Sequence, residues 1–392
     1  MEGYNKKVIM SYWTICRMKT TKKIYVKVSI IFLLGGILLF SSCEKEENQK
    51  IEANRKTLFM YLPWSSNLTN YFYNNISDLE KCITKIGLNN EKVIVFISTG
   101  STEAMMFEIV SSHGRCKREI LKKYKSPPFT TIDGITAILN DVKAFAPASV
   151  YTMIIGCHGM GWLPVYEMKV RSAPHMKMHW EYQGVPLTRY FGGLTAEYQT
   201  DIKSLASGIA NAGMKMEYIL FDDCYMSSIE VAYELKDVTK YLIGSTSEMM
   251  AYGMPYAAIG EYLLGNPDYQ SGCEEFYNFY STYEIMPCGT LAVTDCSELE
   301  NMAAIIKSIN SKYSFDKSLR GTIQRLDGYT PVIFYDFADY ITSLCNDPIL
   351  LNQFREQLNH LVPYKTHTKN FYTMAKGIIP INTFSEIGRA HV

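Results

Sequence analysis

The sequence predicts an α/β fold in which a mostly parallel β-sheet lies between helices on both faces. Short segments rich in valine and isoleucine alternate with longer segments in which apolar residues recur at helical spacing. This alternation is typical of strand–helix–strand units, whose strands run parallel. Two predicted strands end in a histidine and a cysteine, and ligands bind beyond the carboxyl ends of the strands in such sheets.

The predicted elements follow one another regularly. We expect strands at 56–62, 92–98, 105–111 (a short strand or hairpin), 149–156, 218–221, 241–245 and 289–294. A capping box at Ser77-Asp78-Leu79-Glu80 predicts the start of the first helix. Further helices are expected at 131–145, from 200, and at 225–235, 257–264, 273–283, 299–313 and 334–361, the last broken near Pro348. The segment 163–193 has no periodicity and is expected to form a long loop.

Two of these strands end in residues that are able to perform nucleophilic catalysis. Cys157 and His158 follow one strand, and Asp222, Asp223 and Cys224 follow another. Because the carboxyl ends of parallel strands meet at one edge of a sheet, we expect Cys224 and His158 to be neighbours in space. A cysteine nucleophile and its base require this arrangement. Cys157 continues an apolar strand and is interpreted as a small core residue.

The residues around both strand ends resemble the clostripain family of cysteine peptidases, within the caspase–gingipain–legumain group. The first motif is His158-Gly159-x-Gly161-Trp162, and the second runs from Phe221-Asp222-x-Cys224 to Leu235. The resemblance implies a caspase-like fold and a Cys–His dyad. It also implies an endopeptidase that cleaves after arginine or lysine through a thioester acyl-enzyme.

The resemblance further suggests roles for neighbouring residues. It implies that the backbone N–H groups of Gly159 and Cys224 stabilise the oxyanion. It also implies that Asp222 lies in the pocket for the side chain that precedes the scissile bond. The family usually has a small residue at the position of Asp223, so either acid is a candidate for the pocket. The alternative for Asp222 is a solvated turn or helix-capping carboxylate.

The predicted loop after His158 is also a candidate for self-cleavage. Related peptidases cut themselves in this region, and Lys169 and Arg171 are the candidate sites in this sequence. Calcium is the only cofactor that the resemblance suggests. The sequence contains no CxxC pair and no Cys/His cluster with the spacing of a zinc site. It therefore assigns no metal ligands.

Composition limits the partners of the protein. The 392-residue chain carries 39 basic and 39 acidic residues, so no bulk charge favours nucleic acid. The resemblance implies a peptide or protein substrate, and we expect a monomer that binds no nucleic acid. One alternative is a non-catalytic cell-surface lipoprotein that retains the caspase-like fold and binds peptide or glycan. Another is a different specificity on the same dyad, caspase-like or legumain-like; the acidic context of Cys224 disfavours an Asp-cleaving pocket.

The N-terminal segment predicts a lipid anchor. Lysines precede an apolar run that ends at Ser41-Ser42-Cys43, which resembles a bacterial lipoprotein signal with its lipidated cysteine at Cys43. The run is short for the alternative, a transmembrane anchor. We expect residues 1–43 to be this signal, with Met18 as the true start. Residues 44–55 form a polar tether whose acidic start resembles export signals of surface lipoproteins in Bacteroides-like Gram-negative bacteria, so we expect an outer-membrane or cell-surface lipoprotein.

The rest of the chain is divided according to how clearly predicted strands and helices alternate in it. We expect residues 56–313 to form the peptidase domain, where strands and helices alternate clearly. Residues 314–385 have a weaker pattern and are interpreted as a C-terminal extension that is truncated. Residues 386–392 match one reading frame of a common sequencing adapter, and we expect them to be a non-native tail outside the fold.

Overall fold

A computed structural model describes residues 54–163, 198–385 and 387–390, which belong to one compact unit. The predicted signal segment and nearly all of the tether lie outside the described residues. Most of the predicted loop at 163–193 lies outside them as well. Among the residues that are described, no helix is long and apolar enough to cross a membrane.

Nine strands form the main sheet in the order β10-β8-β7-β6-β5-β1-β2-β3-β4. The strands in chain order are β1 (Asn54–Leu62), β2 (Glu91–Ser98), β3 (Glu103–Ser112), β4 (Arg115–Lys125), β5 (Ala148–Ile155), β6 (Met216–Phe221), β7 (Thr239–Gly244), β8 (Thr290–Asp295), β9 (Phe334–Asp336), β10 (Tyr364–His367), β11 (Asn370–Thr373), β12 (Gly377–Pro380) and β13 (Gly388–Ala390). The five central strands, from β7 to β2, pair in parallel. Antiparallel pairs extend the sheet at both edges.

Helices cover both faces of this sheet. They are α1 (Thr69–Ile86), α2 (Ile132–Phe145), α3 (Ile202–Asn211), α4 (Ile229–Leu235), α5 (Tyr256–Leu263), α6 (Tyr269–Ser281), α7 (Leu299–Asn310), α8 (Phe337–Leu344) and α9 (Pro348–Leu361). Helix α1 packs on α5, and α5 packs on α6, whereas α2 packs on α3 and α3 on α4. The chain passes from β1 to β2 in one direction across the sheet, and from β5 through β6 to β7 in the other. Because crossovers between parallel strands are right-handed, helices on these two paths lie on opposite faces. The fold class predicted from the sequence is confirmed.

The central strands are buried on both faces, as a covered parallel sheet requires. In β1, every residue from Lys56 to Leu62 is buried, and in β2 the run from Val93 to Ser98 is buried. These continuous apolar runs are the pattern from which the sequence predicted strands. The core is therefore formed where the sheet meets the two helix layers.

Several helix and strand boundaries differ from the predictions. Helix α1 begins at Thr69, and Ser77 lies inside it with its hydroxyl donating to the Tyr73 carbonyl oxygen, so the predicted capping box is wrong. The predicted helix at 334–361 is the strand β9 followed by α8 and α9, because Asp336 and Asp347 each cap a new helix. The long edge strand β4 was not predicted.

The segment after residue 313 folds together with the sheet. Strand β10 is an edge strand of the main sheet and pairs with β8. Strands β11 and β12 form a hairpin. Strand β13 pairs with β9, although the sequence placed its residues in a tail outside the fold.

Candidate active site

The two predicted reactive strand ends are neighbours in the sheet. Strand β5 pairs with β6 in parallel, and Ile155 is the register partner of Phe221 at the carboxyl ends of both. His158 lies three residues beyond Ile155, and Cys224 lies three residues beyond Phe221. Both side chains are fully buried. The order of the strands thus brings the candidate base and the candidate nucleophile to one edge of the sheet.

The backbones of the two strand-end loops are in direct contact. A Cβ atom placed on Gly159 would overlap the carbonyl oxygen of Cys224 and lie 2.8 Å from its backbone nitrogen. It would also lie 2.9 Å from Cβ of Asp223. Any larger residue at this position would force the loops apart, so glycine allows the close approach.

His158 is oriented by an amide from a third strand end. Its Nε2 atom lies 3.0 Å from Oδ1 of Asn67, in the short 3-10 helix Ser66–Leu68 that follows β1. Because an amide oxygen only accepts hydrogen bonds, this contact places the hydrogen on Nε2 in the neutral ring. Nδ1 is then the ring nitrogen that can accept a proton. Sequence reasoning missed Asn67, although it follows the strand beside β5 and so lies at the same edge of the sheet.

The thiol of Cys224 contacts the loop that follows β7. The backbone N–H of Met249 donates to Cys224 Sγ at 3.1 Å, and the Met249 carbonyl oxygen lies 3.7 Å from the same sulfur. The N–H stabilises negative charge on the sulfur, whereas the carbonyl oxygen accepts a hydrogen bond from the thiol. This donor could not be identified from side-chain types, because it is a backbone group.

The two adjacent acids before Cys224 point to different partners. Asp222 accepts hydrogen bonds from the backbone N–H of Met254 at 2.8 Å and from the hydroxyl of Tyr256 at 3.0 Å. Asp223 accepts from the backbone N–H of Cys157 at 2.5 Å. Both carboxylates are buried. Asp223 therefore connects the β6 loop to the β5 loop, whereas Asp222 faces the loop between β7 and α5.

The residue after Cys224 is held in an unusual conformation. Tyr225 has a φ of 61°, in the left-handed region that non-glycine residues seldom adopt. Its backbone N–H donates to Ser247, and its hydroxyl donates to Oε1 of Glu248 at 2.8 Å. The other oxygen of Glu248 accepts from the backbone N–H of Met374 at 3.0 Å. Burial raises the pKa of Tyr225 well above its usual value, and the nearby Glu248 carboxylate raises it further, so the phenol remains a donor.

The conformation of Tyr225 corrects one sequence prediction. The sequence predicts a helix from residue 225, which would place a helix N-terminus directly after Cys224. Helix α4 begins instead at Ile229, where the side chain of Ser228 accepts from the Val231 N–H and caps it. The field of a helix terminus weakens within about one turn. The Met249 N–H is the nearer source of stabilisation for a thiolate.

Other predicted sites are not placed. Cys43, Lys169 and Arg171 lie outside the described residues. Within the described part of the chain, no group of three or more His, Cys, Asp or Glu side chains could hold a metal ion.

The family model for the clostripain family, Peptidase_C11, matches residues 60–379, a range that includes both strand-end loops. The chain belongs to the clostripain family. It is therefore a cysteine-type endopeptidase, which favours the peptidase over the binding-only lipoprotein considered above. No curated protein sequence matches the chain at a significant level.

Solved clostripain-family structures resemble the chain closely. A secreted C11 cysteine protease from Bacteroides thetaiotaomicron, "iotapain", is 58% identical with a TM-score of 0.80, over 86% of this chain and 93% of that one. A clostripain from the same species, in complex with the peptide inhibitor BTN-VLTK-AOMK, is 66% identical with a TM-score of 0.51, over 51% of this chain and 90% of that one. An inactive zymogen C11 protease from Parabacteroides distasonis shares the fold at 24% identity, with a TM-score of 0.71 over 86% of this chain and 91% of that one.

Proposed function

We propose that this peptidase cleaves after arginine or lysine, with Cys224 as the nucleophile and His158 as the general base. The observation that carries the proposal is the packing of Gly159 against the Cys224 backbone, because it joins the two family motifs at one point in space. Hydrolysis then proceeds through a thioester acyl-enzyme.

The contacts of the two side chains support defined roles in proton transfer. Nδ1 of His158 takes the proton of the Cys224 thiol, while Asn67 holds the ring through Nε2. The thiolate attacks the scissile carbonyl carbon and forms a C–S bond, and the imidazolium returns the proton to the leaving amine as the C–N bond breaks. Water, deprotonated by His158, then attacks the thioester and releases the acid and the free thiol.

The close approach of the two loops also supports the proposed oxyanion site. The N–H groups of Gly159 and Cys224 belong to backbone segments in contact at the strand ends. Backbone donors that are already in place need no reorganisation when negative charge develops on the carbonyl oxygen. We assign oxyanion stabilisation to these two N–H groups.

Asp222 is the residue that we propose for selecting a basic side chain. A buried carboxylate attracts a desolvated guanidinium or ammonium group. Asp223 is the weaker candidate because it is directed toward the β5 loop, where it accepts from the Cys157 N–H, whereas Asp222 faces the loop between β7 and α5. The peptide inhibitor in the structure of the 66% identical clostripain, BTN-VLTK-AOMK, carries lysine next to its AOMK group, and a lysine at that end supports a pocket for basic residues.

The complete burial of His158 and Cys224 supports an activation step before substrate can reach them. We propose cleavage within 163–193, with Lys169 and Arg171 as the candidate sites. An enzyme selective for basic residues is able to make this cut on itself.

We also propose that the enzyme is anchored in the outer membrane or at the cell surface through diacylation of Cys43. The sequence motif supports this, and the 58% identical relative is described as secreted. Mass spectrometry of the mature N-terminal peptide tests it. We expect a lipid-modified Cys43 as the first residue; an unmodified chain that begins at Met1 or Met18 would contradict the anchor.

Hydrolysis of arginyl, lysyl and glutaminyl peptide reporters tests the proposed function. We expect the wild type to cleave the first two much faster than the third. Cys224→Ala and His158→Ala should abolish cleavage, whereas Cys157→Ala, which removes the neighbouring thiol, should retain most of it. Full activity in Cys224→Ala, or loss only in Cys157→Ala, would remove Cys224 as the nucleophile.

A further inference from the structure

A segment far along the chain places one aromatic ring against both loops of the candidate active site. Phe334 in β9 stacks on Tyr225, the residue after Cys224, with ring centroids 4.6 Å apart and planes inclined by 12°. The same ring lies against Gly161 in the His158 loop, where a Cβ atom would come within 2.8 Å of Phe334 Cε1. Phe334 thus touches the loop of the candidate nucleophile and the loop of the candidate base at the same time.

Tyr329 makes a second connection between the same two loops. Its hydroxyl lies 3.4 Å from Sδ of Met160, which is in the His158 loop. Its ring centroid lies 6.1 Å from that of Tyr225 in the Cys224 loop. Tyr329 and Phe334 are both buried, and we refer to this pair as the aromatic bridge.

A single carboxylate fixes the backbone of the aromatic bridge. Asp327 accepts hydrogen bonds from the backbone N–H groups of Tyr329 at 2.7 Å, Ile333 at 2.8 Å and Phe334 at 2.5 Å. Its side chain is fully buried. The two rings are therefore held in place by hydrogen bonds to one side chain and do not depend on packing alone.

The far end of Tyr225 is fixed as well. Its hydroxyl donates to Glu248, which also accepts from the backbone N–H of Met374. Tyr225 is thus held at its ring face by Phe334 and at its hydroxyl by Glu248. These contacts stabilise the left-handed backbone conformation of Tyr225. That conformation fixes the direction of the backbone at the preceding residue, Cys224.

We propose that Phe334 and Tyr329 are positioning residues for the peptidase reaction, and that they set the distance between the His158 loop and the Cys224 loop. The proposal rests on the proposed dyad. The two dyad side chains come from different strand ends, and a displacement of about 1 Å between reacting groups lowers rates by about a hundredfold. Rings that contact both loops fix this spacing, so the segment after residue 313 contributes to catalysis.

The test compares two buried phenylalanines in the full-length protein. Phe334→Leu removes the ring between the loops, whereas Phe354→Leu removes a fully buried ring in α9 that packs on Phe337. We expect Phe334→Leu to lower kcat by about tenfold or more with little change in KM. The acidic limb of its kcat/KM profile should move by about half a pH unit or more, since that limb reports ionisation of the free enzyme. Phe354→Leu should lower Tm similarly but leave kcat and the pH profile unchanged.

A smaller substitution keeps the proposal testable if Phe334→Leu does not fold. Tyr329→Phe retains the ring and removes only the hydroxyl that contacts Met160; we expect a decrease in kcat of about threefold at unchanged KM. Wild-type kcat and pH profile in the folded bridge variants would overturn the proposal. Cys224→Ala in the same series separates the two hypotheses: activity in that variant contradicts the dyad, whereas inactivity alongside fully active bridge variants contradicts only the bridge.

Discussion

Gly159 lies so close to Cys224 that the backbone has no space for a side chain at position 159. A Cβ atom there would overlap the Cys224 carbonyl oxygen and come within 2.8 Å of its nitrogen. These are backbone atoms, which cannot move aside as the end of a flexible side chain can. The absence of a side chain at residue 159 therefore allows the two strand-end loops to come into contact.

The first prediction concerns this glycine. Gly159→Ala should lower kcat/KM by about a hundredfold, because the loops must separate and a proposed oxyanion donor moves with them. Steady-state kinetics with a lysyl reporter measures the loss. Gly100→Ala is the matched control, since a Cβ at Gly100 meets nothing within 4 Å. Equal activity in both variants would show that the contact does not position the site.

The second prediction separates the two acids before Cys224. Asp222→Asn should lower kcat/KM for arginyl and lysyl reporters by roughly ten- to a hundredfold more than for a glutaminyl reporter, because a charge-assisted bond contributes about 1.5–3 kcal/mol. Asp223→Asn should affect all three reporters alike, since Asp223 accepts a hydrogen bond from the Cys157 N–H and so connects two loops. If Asp223→Asn alone removed the basic preference, the pocket would belong to the other acid.

The third prediction concerns self-cleavage. Wild-type protein should yield two fragments on a denaturing gel, and mass spectrometry should locate the new terminus after Lys169 or Arg171. Cys224→Ala should remain a single chain because its nucleophile is missing. A Lys169→Ala/Arg171→Ala double variant should also remain intact. Fragments of the same size in Cys224→Ala would mean that another protease makes the cut.

The fourth prediction follows from a buried acid in the C-terminal part of the fold. Burial raises the pKa of Asp336 to about 6, although Ser385 and the Asp339 N–H donate to it and favour its charged form; the nearby Asp339 carboxylate raises it further. An unfolded aspartate titrates near 3.9. Between about pH 3.9 and pH 6, the folded protein therefore binds more protons at Asp336 than the unfolded protein does. The contribution of Asp336 to the free energy of unfolding thus grows as pH falls through 6.

The measurement is denaturant unfolding at pH 7 and pH 5. The wild type should gain roughly 1 kcal/mol more stability on this pH decrease than Asp336→Asn does. The variant is the appropriate comparison because other groups, including buried Asp327 with a pKa also raised to about 6 by burial, titrate in both proteins. An identical change in the two proteins would contradict a raised pKa for Asp336.

The sequence was most informative where local pattern and fold agree. The strands before His158 and Cys224 could be predicted because covered parallel strands are continuous apolar runs. The start of α4 could not, since Met226 and Ile229 have helical spacing although Tyr225 is left-handed and Ser228 provides the cap. Spacing reports which residues are buried, but it does not report the backbone conformation that buries them.

Long-range contacts were beyond the reach of sequence patterns. Phe334 stacks on Tyr225, more than 100 residues earlier in the chain, and no local signal connects them. Asn67 contacts His158 from a short 3-10 helix after β1, and only the strand order makes them neighbours. The Met249 donor to Cys224 is a backbone N–H, which any residue other than proline supplies.

Covalent labelling tests the central claim, that Cys224 is the nucleophile of a peptidase selective for basic residues. Active protein is treated with a thiol-reactive peptide electrophile that carries lysine before its reactive group, and the adduct is located by peptide mass spectrometry. We expect one adduct on Cys224, absent in His158→Ala and outcompeted by a lysyl substrate. An adduct on Cys157, or equal labelling by an otherwise identical glutaminyl electrophile, would contradict it.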